Sequence, residues 1–258
     1  MTTCTRCGWP TLLPPLCTAC SDRDAEKQAE AIAEADARAK AVHEFYSTPR
    51  WVVDEALDTI EHIADQHDAE LGAVLAAAQA GALVVDPAMG GVVRDGRIVE
   101  RPVYLDALRE RFPNVGGADC RHTSAATHID GTHLCPFEML RRDLLDGCVL
   151  AATNPPFSLY RRFVERGLEV AESVVLLLPV GVMEVRRRTT AEDVAWWRKY
   201  GPRWLVTHRR IRFGGATSSA FQFYAHFVWM RADVGSGMLP RMVSADGVAA
   251  IQQARRAA

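Results

Sequence analysis

Short, strongly apolar runs alternate with longer amphipathic segments along most of this chain. Continuous apolar runs are typical of strands buried on both faces of a parallel sheet, whereas long amphipathic segments indicate helices. The predicted strands are 82–85, a run ending at Asp119, 148–152, 174–178, 204–207 and 221–229. The predicted helices are 51–67, 103–111, 159–171 and 191–200. This order predicts an α/β domain of three layers, with helices on both faces of a mostly parallel sheet.

The segment 92–100 interrupts this alternation. Asp95-Gly96 stands between apolar residues there, and this dipeptide favours a two-residue turn between antiparallel strands. We therefore expect a hairpin directly after the first central strand. Pro102, just beyond it, suits the first position of the next helix, because a proline there loses no helical hydrogen bond.

Composition divides the chain into four parts. Residues 1–21 hold four of the seven cysteines, and residues 22–43 are rich in Ala, Glu, Lys and Arg, which predicts a connecting helix. The alanine face of this helix could pack on a neighbouring element or on a second copy of the chain, so a homodimer through it is one expectation. The α/β pattern fills residues 44–231, and we expect 232–258 to be a C-terminal tail.

The N-terminal cysteines form two pairs, Cys4-x-x-Cys7 and Cys17-x-x-Cys20. Two such pairs supply four thiolates in tight turns, as a tetrahedral structural zinc site requires. The alternative is two disulfides or a redox pair, but the first residues lack the pattern of a secretory signal, so we expect reduced thiols. We therefore predict a small zinc knuckle whose metal supplies much of its folding free energy.

A second group of cysteines and histidines lies in the middle of the chain. Its members are Cys120, His122, His128, His133 and Cys135. Their spacing matches no compact zinc motif. Ordinary loop histidines and partly buried cysteines are therefore the favoured interpretation, and a second metal site is the alternative.

Charge is distributed unevenly, although the net charge of the chain is only -2. Residues 1–140 carry about -10 and residues 141–231 about +7. A polyanion such as DNA would bind the basic part, and a merely solvated surface is the alternative. The candidate phosphate-binding residues are Arg186, Arg187, Arg188, Arg209, Arg210 and Arg212. Since no apolar segment approaches the roughly 20 residues that span a bilayer, we expect a cytoplasmic protein without a membrane partner.

An acidic residue and two glycines follow the first predicted strand, in Asp86-Pro87-Ala88-Met89-Gly90-Gly91. This turn would lie at the carboxyl edge of the sheet, where open α/β sheets bind ligands and glycine lets the backbone approach them closely. Asp119 ends the next strand, which is the usual position of a carboxylate that accepts hydrogen bonds from ribose hydroxyls. Together these residues predict a nucleoside-containing cofactor, with a structural turn as the alternative.

The sequence Asn154-Pro155-Pro156-Phe157 directly follows the predicted strand 148–152. Two consecutive prolines hold an extended backbone and remove two amide donors, so the adjacent carbonyl groups point outward. The Asn154 side chain adds a second acceptor. Two converging acceptors can grip the hydrogens of an exocyclic amine, and Phe157 can stack on the ring that carries it. A structural turn is again the alternative.

These motifs resemble those of the S-adenosylmethionine-dependent amino-methyltransferases that act on adenine N6 in DNA, particularly small phage-type members. Phe45-Tyr46-Ser47-Thr48-Pro49 is similar to the family's first cofactor motif, Asp86 to Gly91 to its glycine motif, and Asn154 to Phe157 to its catalytic motif. The resemblance covers roughly residues 43–231. It implies a Rossmann-like methyltransferase fold and a role in DNA methylation such as restriction-modification.

The resemblance also implies roles for individual residues. It assigns S-adenosylmethionine to Tyr46, Thr48, Pro49, Asp86, Pro87, Ala88, Gly90 and Asp119. It assigns the target adenine, extruded from the duplex, to Asn154, Pro155, Pro156 and Phe157. The acidic residue near the cofactor adenine could be Asp130 or Asp143. Val92 departs from the family pattern, because a last glycine often stands at that position.

Two other interpretations remain. The same acceptor geometry would serve an amine of RNA or the amide of a protein glutamine, although the basic, aromatic C-terminal half favours nucleic acid. In the second, the chain is a non-catalytic module whose zinc knuckle and glycine turn bind nucleic acid or a protein partner. Identification of the methylated product distinguishes DNA from RNA or protein as the substrate. Measurement of S-adenosylmethionine binding distinguishes an enzyme from a non-catalytic module.

Overall fold

The computed structural model describes residues 47–121, 123–183, 190–213 and 222–249, together with two short N-terminal strands. These strands are β1 (Thr2–Thr3) and β2 (Pro10–Thr11), and they pair antiparallel. Several predicted features lie outside the described residues and stay predictions. They are the four cysteines Cys4, Cys7, Cys17 and Cys20, the helix 22–43, Tyr46, His122, and Arg186, Arg187 and Arg188.

An eight-stranded sheet forms the centre of the described fold. The strands after β2 are β3 (Leu83–Asp86), β4 (Val92–Arg94), β5 (Arg97–Glu100), β6 (Val115–Asp119), β7 (Thr132–Leu134), β8 (Cys148–Thr153), β9 (Ser173–Pro179), β10 (Trp204–Thr207), β11 (Tyr224–Met230) and β12 (Arg241–Ser244). The sheet order is β12-β10-β11-β9-β8-β3-β6-β7, in which β11 is antiparallel to both neighbours and the other pairs are parallel. The predicted mostly parallel sheet of a Rossmann-like methyltransferase fold is therefore confirmed.

Helices cover both faces of the sheet. They are α1 (Arg50–Gln66), α2 (Ala69–Gln79), α3 (Val103–Arg111), α4 (Tyr160–Val170) and α5 (Ala191–Lys199). Alternate residues of the strands point to opposite faces, so Val175 and Leu177 pack with α1, α2 and α3, whereas Val174 and Leu176 pack with α4. This confirms the three layers. None of the helices in the described part of the chain is both long and apolar enough to cross a membrane.

The predicted hairpin is also confirmed. Strands β4 and β5 pair antiparallel and form a unit separate from the central sheet. Asp95 and Gly96 join them with φ values of 50° and 71°. Two successive positive φ values are characteristic of the tight turn that matches the twist of the paired strands, and an Asp-Gly pair adopts them at low cost.

Three of the α-helices and strands described after residue 46 were not predicted from the sequence. Helix α2 is apolar on nearly every side and follows α1 after only two residues, so it shows no amphipathic stripe of its own. Strand β7 is three residues long, and β12 is mostly exposed. Because β12 pairs with β10, the sheet extends into the segment that was expected to be a C-terminal tail.

Candidate functional site

The candidate site lies where three adjacent parallel strands end. Strand β3 is the central one, with β6 on one side and β8 on the other. Asp86 ends β3 and Asp119 ends β6, while Asn154 directly follows β8. The chain therefore leaves β3 towards one side of the sheet and returns on the other, which makes this edge a topological switch point of the kind where α/β sheets bind ligands.

Asp86 is fully buried at the end of β3. Its Oδ1 accepts a hydrogen bond from Thr153 Oγ1 at 2.6 Å and one from the backbone N–H of Ala88 at 3.3 Å. Its Oδ2 is buried and has no well-aligned hydrogen-bond partner among the described residues, while the nearby backbone N–H of Leu105 acts to lower the pKa of the carboxyl. Burial, with a smaller contribution from the nearby charge of Asp119, raises the pKa of Asp86 to about 7. The carboxyl group can therefore change charge near neutral pH.

The glycine turn after β3 holds a left-handed backbone, with φ values of 72° at Gly90 and 75° at Gly91. A Cβ on Gly91 would lie 3.0 Å from the carbonyl oxygen of Glu100, so a larger residue there would meet both strain and a clash. Ser124 Oγ donates to the carbonyl oxygen of Gly90 at 3.0 Å. Val92 begins strand β4 immediately afterwards, which explains why a hairpin follows the turn in place of a helix.

Asp119 is 5% exposed and is held by the glycine turn and by Arg121. Gly90 N donates to its Oδ2 at 2.9 Å, and Arg121 Nη2 donates to the same oxygen at 3.0 Å. The backbone N and Nε of Arg121 donate to Oδ1 at 2.8 and 3.2 Å. Arg121 therefore donates hydrogen bonds to the same carboxylate that we predicted would accept hydrogen bonds from ribose hydroxyls. Nothing in the local sequence pattern indicated this contact.

The segment 154–157, predicted to be catalytic, directly contacts Thr48 of the segment predicted to be the first cofactor motif. Asn154 Nδ2 donates a hydrogen bond to Thr48 Oγ1 at 3.0 Å, across 106 residues of sequence. Thr48 is buried, and Pro49 caps α1 with an extended backbone. Because Nδ2 is held by Thr48, the orientation of the Asn154 amide is set, and Oδ1 is the atom that can accept a hydrogen from an amine.

The prolines and Phe157 continue the same loop. Pro155 is buried, and Pro156 has φ -55° and ψ 124°, the extended backbone expected of consecutive prolines. Phe157 begins a short 3-10 helix. Its half-buried side chain packs against the apolar clusters on both faces of the sheet. Its ring centroid lies 5.8 Å from that of Tyr224, which in turn lies 4.9 Å from that of Phe213. A row of aromatic rings therefore supports the loop.

A buried chain of polar side chains lies next to this site and was not predicted from the sequence. Tyr104 Oη lies 2.5 Å from His226 Nε2, and His226 Nδ1 lies 2.6 Å from His208 Nε2. Burial lowers the pKa of His208 to about 4, lowers that of His226 and raises that of Tyr104. All three groups are therefore neutral at pH 7. No sequence motif joins them, because Tyr104 and His226 are 122 residues apart.

The described arginines of the predicted nucleic-acid surface follow β10. This strand ends at the same edge as β9, because β11 is antiparallel to both. Arg209 is 57% exposed, lies 4.3 Å above the Trp51 ring and is 3.4 Å from a carboxylate oxygen of Glu55. Arg210 and Arg212 are exposed. The fold therefore brings Arg209, Arg210 and Arg212 to the sheet edge that carries Asn154.

The remaining candidates are less integrated with the site. Asp143 is exposed and ion-paired with Arg141, whose hydrogen bonds lower the pKa of the Asp143 carboxyl. Asp130 is exposed in the loop before β7.

Within the described ranges, no three His, Cys, Asp or Glu side chains are grouped so that they could hold a metal ion. Burial raises the pKa of the Cys135 thiol to about 12, which agrees with the favoured interpretation of a buried structural cysteine.

No model of a protein family matches this chain, and no curated protein sequence matches it. Solved structures with similarity to the chain include a candidate RNA methyltransferase from Pyrococcus horikoshii, 14% identical with a TM-score of 0.39 over 63% of this chain and 83% of that one. They also include the modification subunit of a candidate type I restriction enzyme from Vibrio vulnificus, 14% identical with a TM-score of 0.43 over 87% of this chain and 52% of that one. The chain thus spans about half the length of that subunit. A third is magnesium protoporphyrin IX methyltransferase from Synechocystis, 12% identical with a TM-score of 0.35 over 83% of this chain and 99% of that one. At these identities and TM-scores the likenesses carry no argument about activity.

Proposed function

We propose that this chain transfers the methyl group of S-adenosylmethionine to the N6 amine of adenine in DNA. The observation that carries the proposal is a pair of contacts made by two consecutive residues. Thr153 donates to Asp86 of the glycine turn, and Asn154 donates to Thr48 of the first motif. Three motifs that are far apart in sequence therefore meet at one edge of the sheet, in the arrangement that a cofactor beside an amine substrate requires.

The residues at this edge fit the cofactor. The Oδ2 of Asp86, which has no well-aligned partner among the described residues, is an acceptor for a donor of the ligand, and the left-handed turn at Gly90 leaves room for a close approach of the backbone. Asp119 would accept hydrogen bonds from the ribose hydroxyls once Arg121 moves away from it. When bound, S-adenosylmethionine supplies a methyl group on a positively charged sulfur, which is a good leaving group.

Asn154 and Pro155 would act on the target amine. The nitrogen lone pair of an aromatic amine is delocalised into the ring, so the nitrogen must become more tetrahedral before it can attack a methyl group. Hydrogen bonds from the amine to Asn154 Oδ1 and to the Pro155 carbonyl oxygen favour that change, because they strengthen as positive charge develops on nitrogen. Thr48 keeps the Asn154 amide in the required orientation through its hydrogen bond to Nδ2. The N–C bond would form as the bond between the methyl group and sulfur breaks, and the cationic amine would then lose its extra proton to solvent water, so no group with a shifted pKa is needed for this step.

DNA is the proposed substrate because positive charge is concentrated in the part of the chain that holds the catalytic loop. Residues 141–231 carry about +7, and Arg210 and Arg212 project from the same sheet edge as Asn154. An adenine in a duplex must leave the base stack to reach Asn154, and Phe157 would stack against it outside the helix. Phe157 is well supported for this role, because Tyr224 packs against its ring.

The proposal is tested by incubating the protein with DNA and isotopically labelled cofactor, followed by digestion to nucleosides. We expect label in N6-methyl-2′-deoxyadenosine from the DNA, and incorporation slower on the order of 100-fold after Asn154→Ala. RNA and a glutamine-containing protein serve as parallel substrates. Label in RNA or protein but not in DNA would reject the proposed substrate, and absence of cofactor binding by calorimetry would reject the proposed activity altogether.

A further inference from the structure

A cleft of about 600 Å³ lies beside the catalytic loop and is not used by the proposed chemistry. It runs along one face of α5, which contributes Val194, Trp197 and Arg198 at helical spacing. Its other walls come from the first residues of α4, the segment 179–183 at the end of β9, the loop 237–240, and Gly201, Pro202 and Gln222. Its volume falls in the range of pockets that bury a ligand of drug-like size.

Two aromatic rings line part of the cleft. Tyr160 and Trp197 line it with rings 6.0 Å apart and inclined by only 27°. Trp196 stands edge-on to both, at interplanar angles of 85° and 88°, and its Nε1 donates to Glu165 at 2.7 Å. Trp196 therefore restrains the rings of Tyr160 and Trp197. These two near-parallel rings form a preorganised surface on which a flat ligand can stack.

The charge of the cleft favours an anionic ligand. Its acidic side chain, Asp193, is ion-paired with Arg161 at 2.5 Å and also accepts a hydrogen bond from the N-cap residue Thr190. Arg198 is exposed on the same face of α5 as Trp197. Among the described lining residues, Arg198 therefore offers a cation and the one carboxylate is already ion-paired, as the phosphate of a nucleotide requires.

We infer that the cleft binds a nucleotide that flanks the target adenine on the same strand, with its base against Tyr160 and Trp197 and its phosphate near Arg198. This inference rests on the proposed function, because it needs a nucleic acid in the neighbouring catalytic loop. Tyr160 follows Phe157 by three residues, across the short 3-10 helix that joins the loop to α4. A strand whose adenine contacts Phe157 can therefore continue directly into the cleft. The flat rings and the cationic rim favour a nucleotide over an apolar peptide segment.

The test measures whether the effect of removing one base on binding depends on the Trp197 side chain. The probe is a short, fluorescently labelled single-stranded oligothymidylate with one central adenine, and abasic sites replace the flanking nucleotides one at a time. Binding by fluorescence anisotropy is compared for the unmodified protein, Trp197→Ala and Trp197→Phe. We expect one abasic position to weaken binding to the unmodified protein about tenfold, the size of a lost base stack. In Trp197→Ala that penalty should disappear, while Trp197→Phe should keep most of it.

A second measurement does not depend on the folding of a tryptophan variant. Arg198→Ala changes an exposed residue and should reduce the slope of log affinity against log salt by about 1. Lys199→Ala is the matched control, because Lys199 is adjacent and exposed but lies over the Tyr200 ring outside this cleft. Equal abasic penalties in the unmodified protein and Trp197→Ala, or equal salt slopes for the Arg198 and Lys199 variants, would overturn the inference. Both readouts are binding measurements, so a protein that binds as expected but yields no methylated adenine would overturn only the proposed function.

Discussion

Thr153 Oγ1 donates a hydrogen bond to Asp86 Oδ1 across 2.6 Å, and both side chains are fully buried. The two residues belong to adjacent parallel strands: Thr153 lies immediately before the loop 154–157, and Asp86 begins the glycine turn. The position of this loop is therefore tied to the carboxyl group of Asp86. Because the pKa of that carboxyl is raised to about 7, its charge changes within the working range of most enzymes.

We predict that Asp86→Asn stabilises the fold above neutral pH. The pKa of Asp86 is about 7 in the folded protein and 3.8 as its model value. Between these values the folded state keeps a proton that the unfolded state releases, so stability falls as pH rises through this window. The Asn variant keeps an acceptor for Thr153 but cannot ionise, so it should gain up to about 4 kcal/mol over the native protein above pH 7.

Urea unfolding of both proteins across this pH range checks the prediction. Asp130→Asn, at an exposed position, is the control and should leave the pH dependence of the free energy of unfolding unchanged. Parallel curves for the native protein and Asp86→Asn would show that Asp86 does not titrate in this window.

We predict that Asn154→Ala lowers the rate of methyl transfer on the order of 100-fold, since it removes one of two acceptors that act mainly in the transition state. Thr48→Val removes the partner of Asn154 Nδ2 but keeps the acceptor Oδ1, so its rate should fall by about tenfold or less. Thr48→Ser keeps the hydroxyl and serves as the control. Single-turnover rates and cofactor affinity by calorimetry are the measurements. Near-normal transfer by Asn154→Ala would mean that another loop holds the amine.

Local pattern was sufficient to predict most of the sheet. The apolar runs at 82–85 and 148–152 and the helix Val103–Arg111 follow from the period and the flanking turn residues alone. Helix α2 lacks a polar face, and β12 is a short, mostly exposed strand that is supported by pairing with β10 and by the packing of Val243 on the core. Elements of this kind form because of their tertiary neighbours, which a local window does not contain.

The sequence pointed to candidate residues of the site but not to their contacts. Asp86, Asp119 and Asn154 were identifiable because strand ends in a parallel sheet meet at one edge. The bond between Asn154 and Thr48 joins residues 106 positions apart, and the Tyr104–His226 contact spans 122. Such contacts depend on how helices α1 and α3 pack on the sheet. No local sequence rule contains that information.

We predict that the four N-terminal cysteines bind one zinc ion, because the paired spacing of Cys4, Cys7, Cys17 and Cys20 suits a closed tetrahedral site. Elemental analysis of protein purified without chelator should find zinc at one equivalent, and the double change of Cys4 and Cys7 to Ser should remove it. Cys120→Ser is the control and should retain the metal. Full zinc content in the double variant would place the metal elsewhere.

We predict that replacing Arg186, Arg187 and Arg188 by Ala weakens DNA binding and flattens its salt dependence by up to about 3 in the log-log slope, since each phosphate contact releases about one counterion. Cofactor affinity should stay unchanged. Arg101→Ala removes an exposed charge from the acidic part of the chain and should change neither quantity. An unchanged slope in the triple variant would identify the arginine run as a solvated surface.

The last prediction concerns Arg121, which holds Asp119 through its backbone N, Nε and Nη2. If the ribose hydroxyls of the cofactor hydrogen-bond to Asp119, they must displace the Arg121 side chain. Breaking that ion pair lowers the affinity of the protein for the cofactor. Arg121→Ala leaves the nearly buried carboxylate with fewer partners, so the protein without cofactor should unfold at a lower temperature. The cofactor would then supply the missing hydrogen bonds, and the rise in Tm on adding S-adenosylhomocysteine should be larger in the variant than in the native protein. Arg109→Ala, which removes a surface arginine that donates to the carbonyl oxygens of Val115 and Asp130, is the control and should leave the rise unchanged. A smaller rise in Arg121→Ala would mean that Arg121 itself contacts the cofactor, and that Asp119 holds Arg121 in place for that purpose.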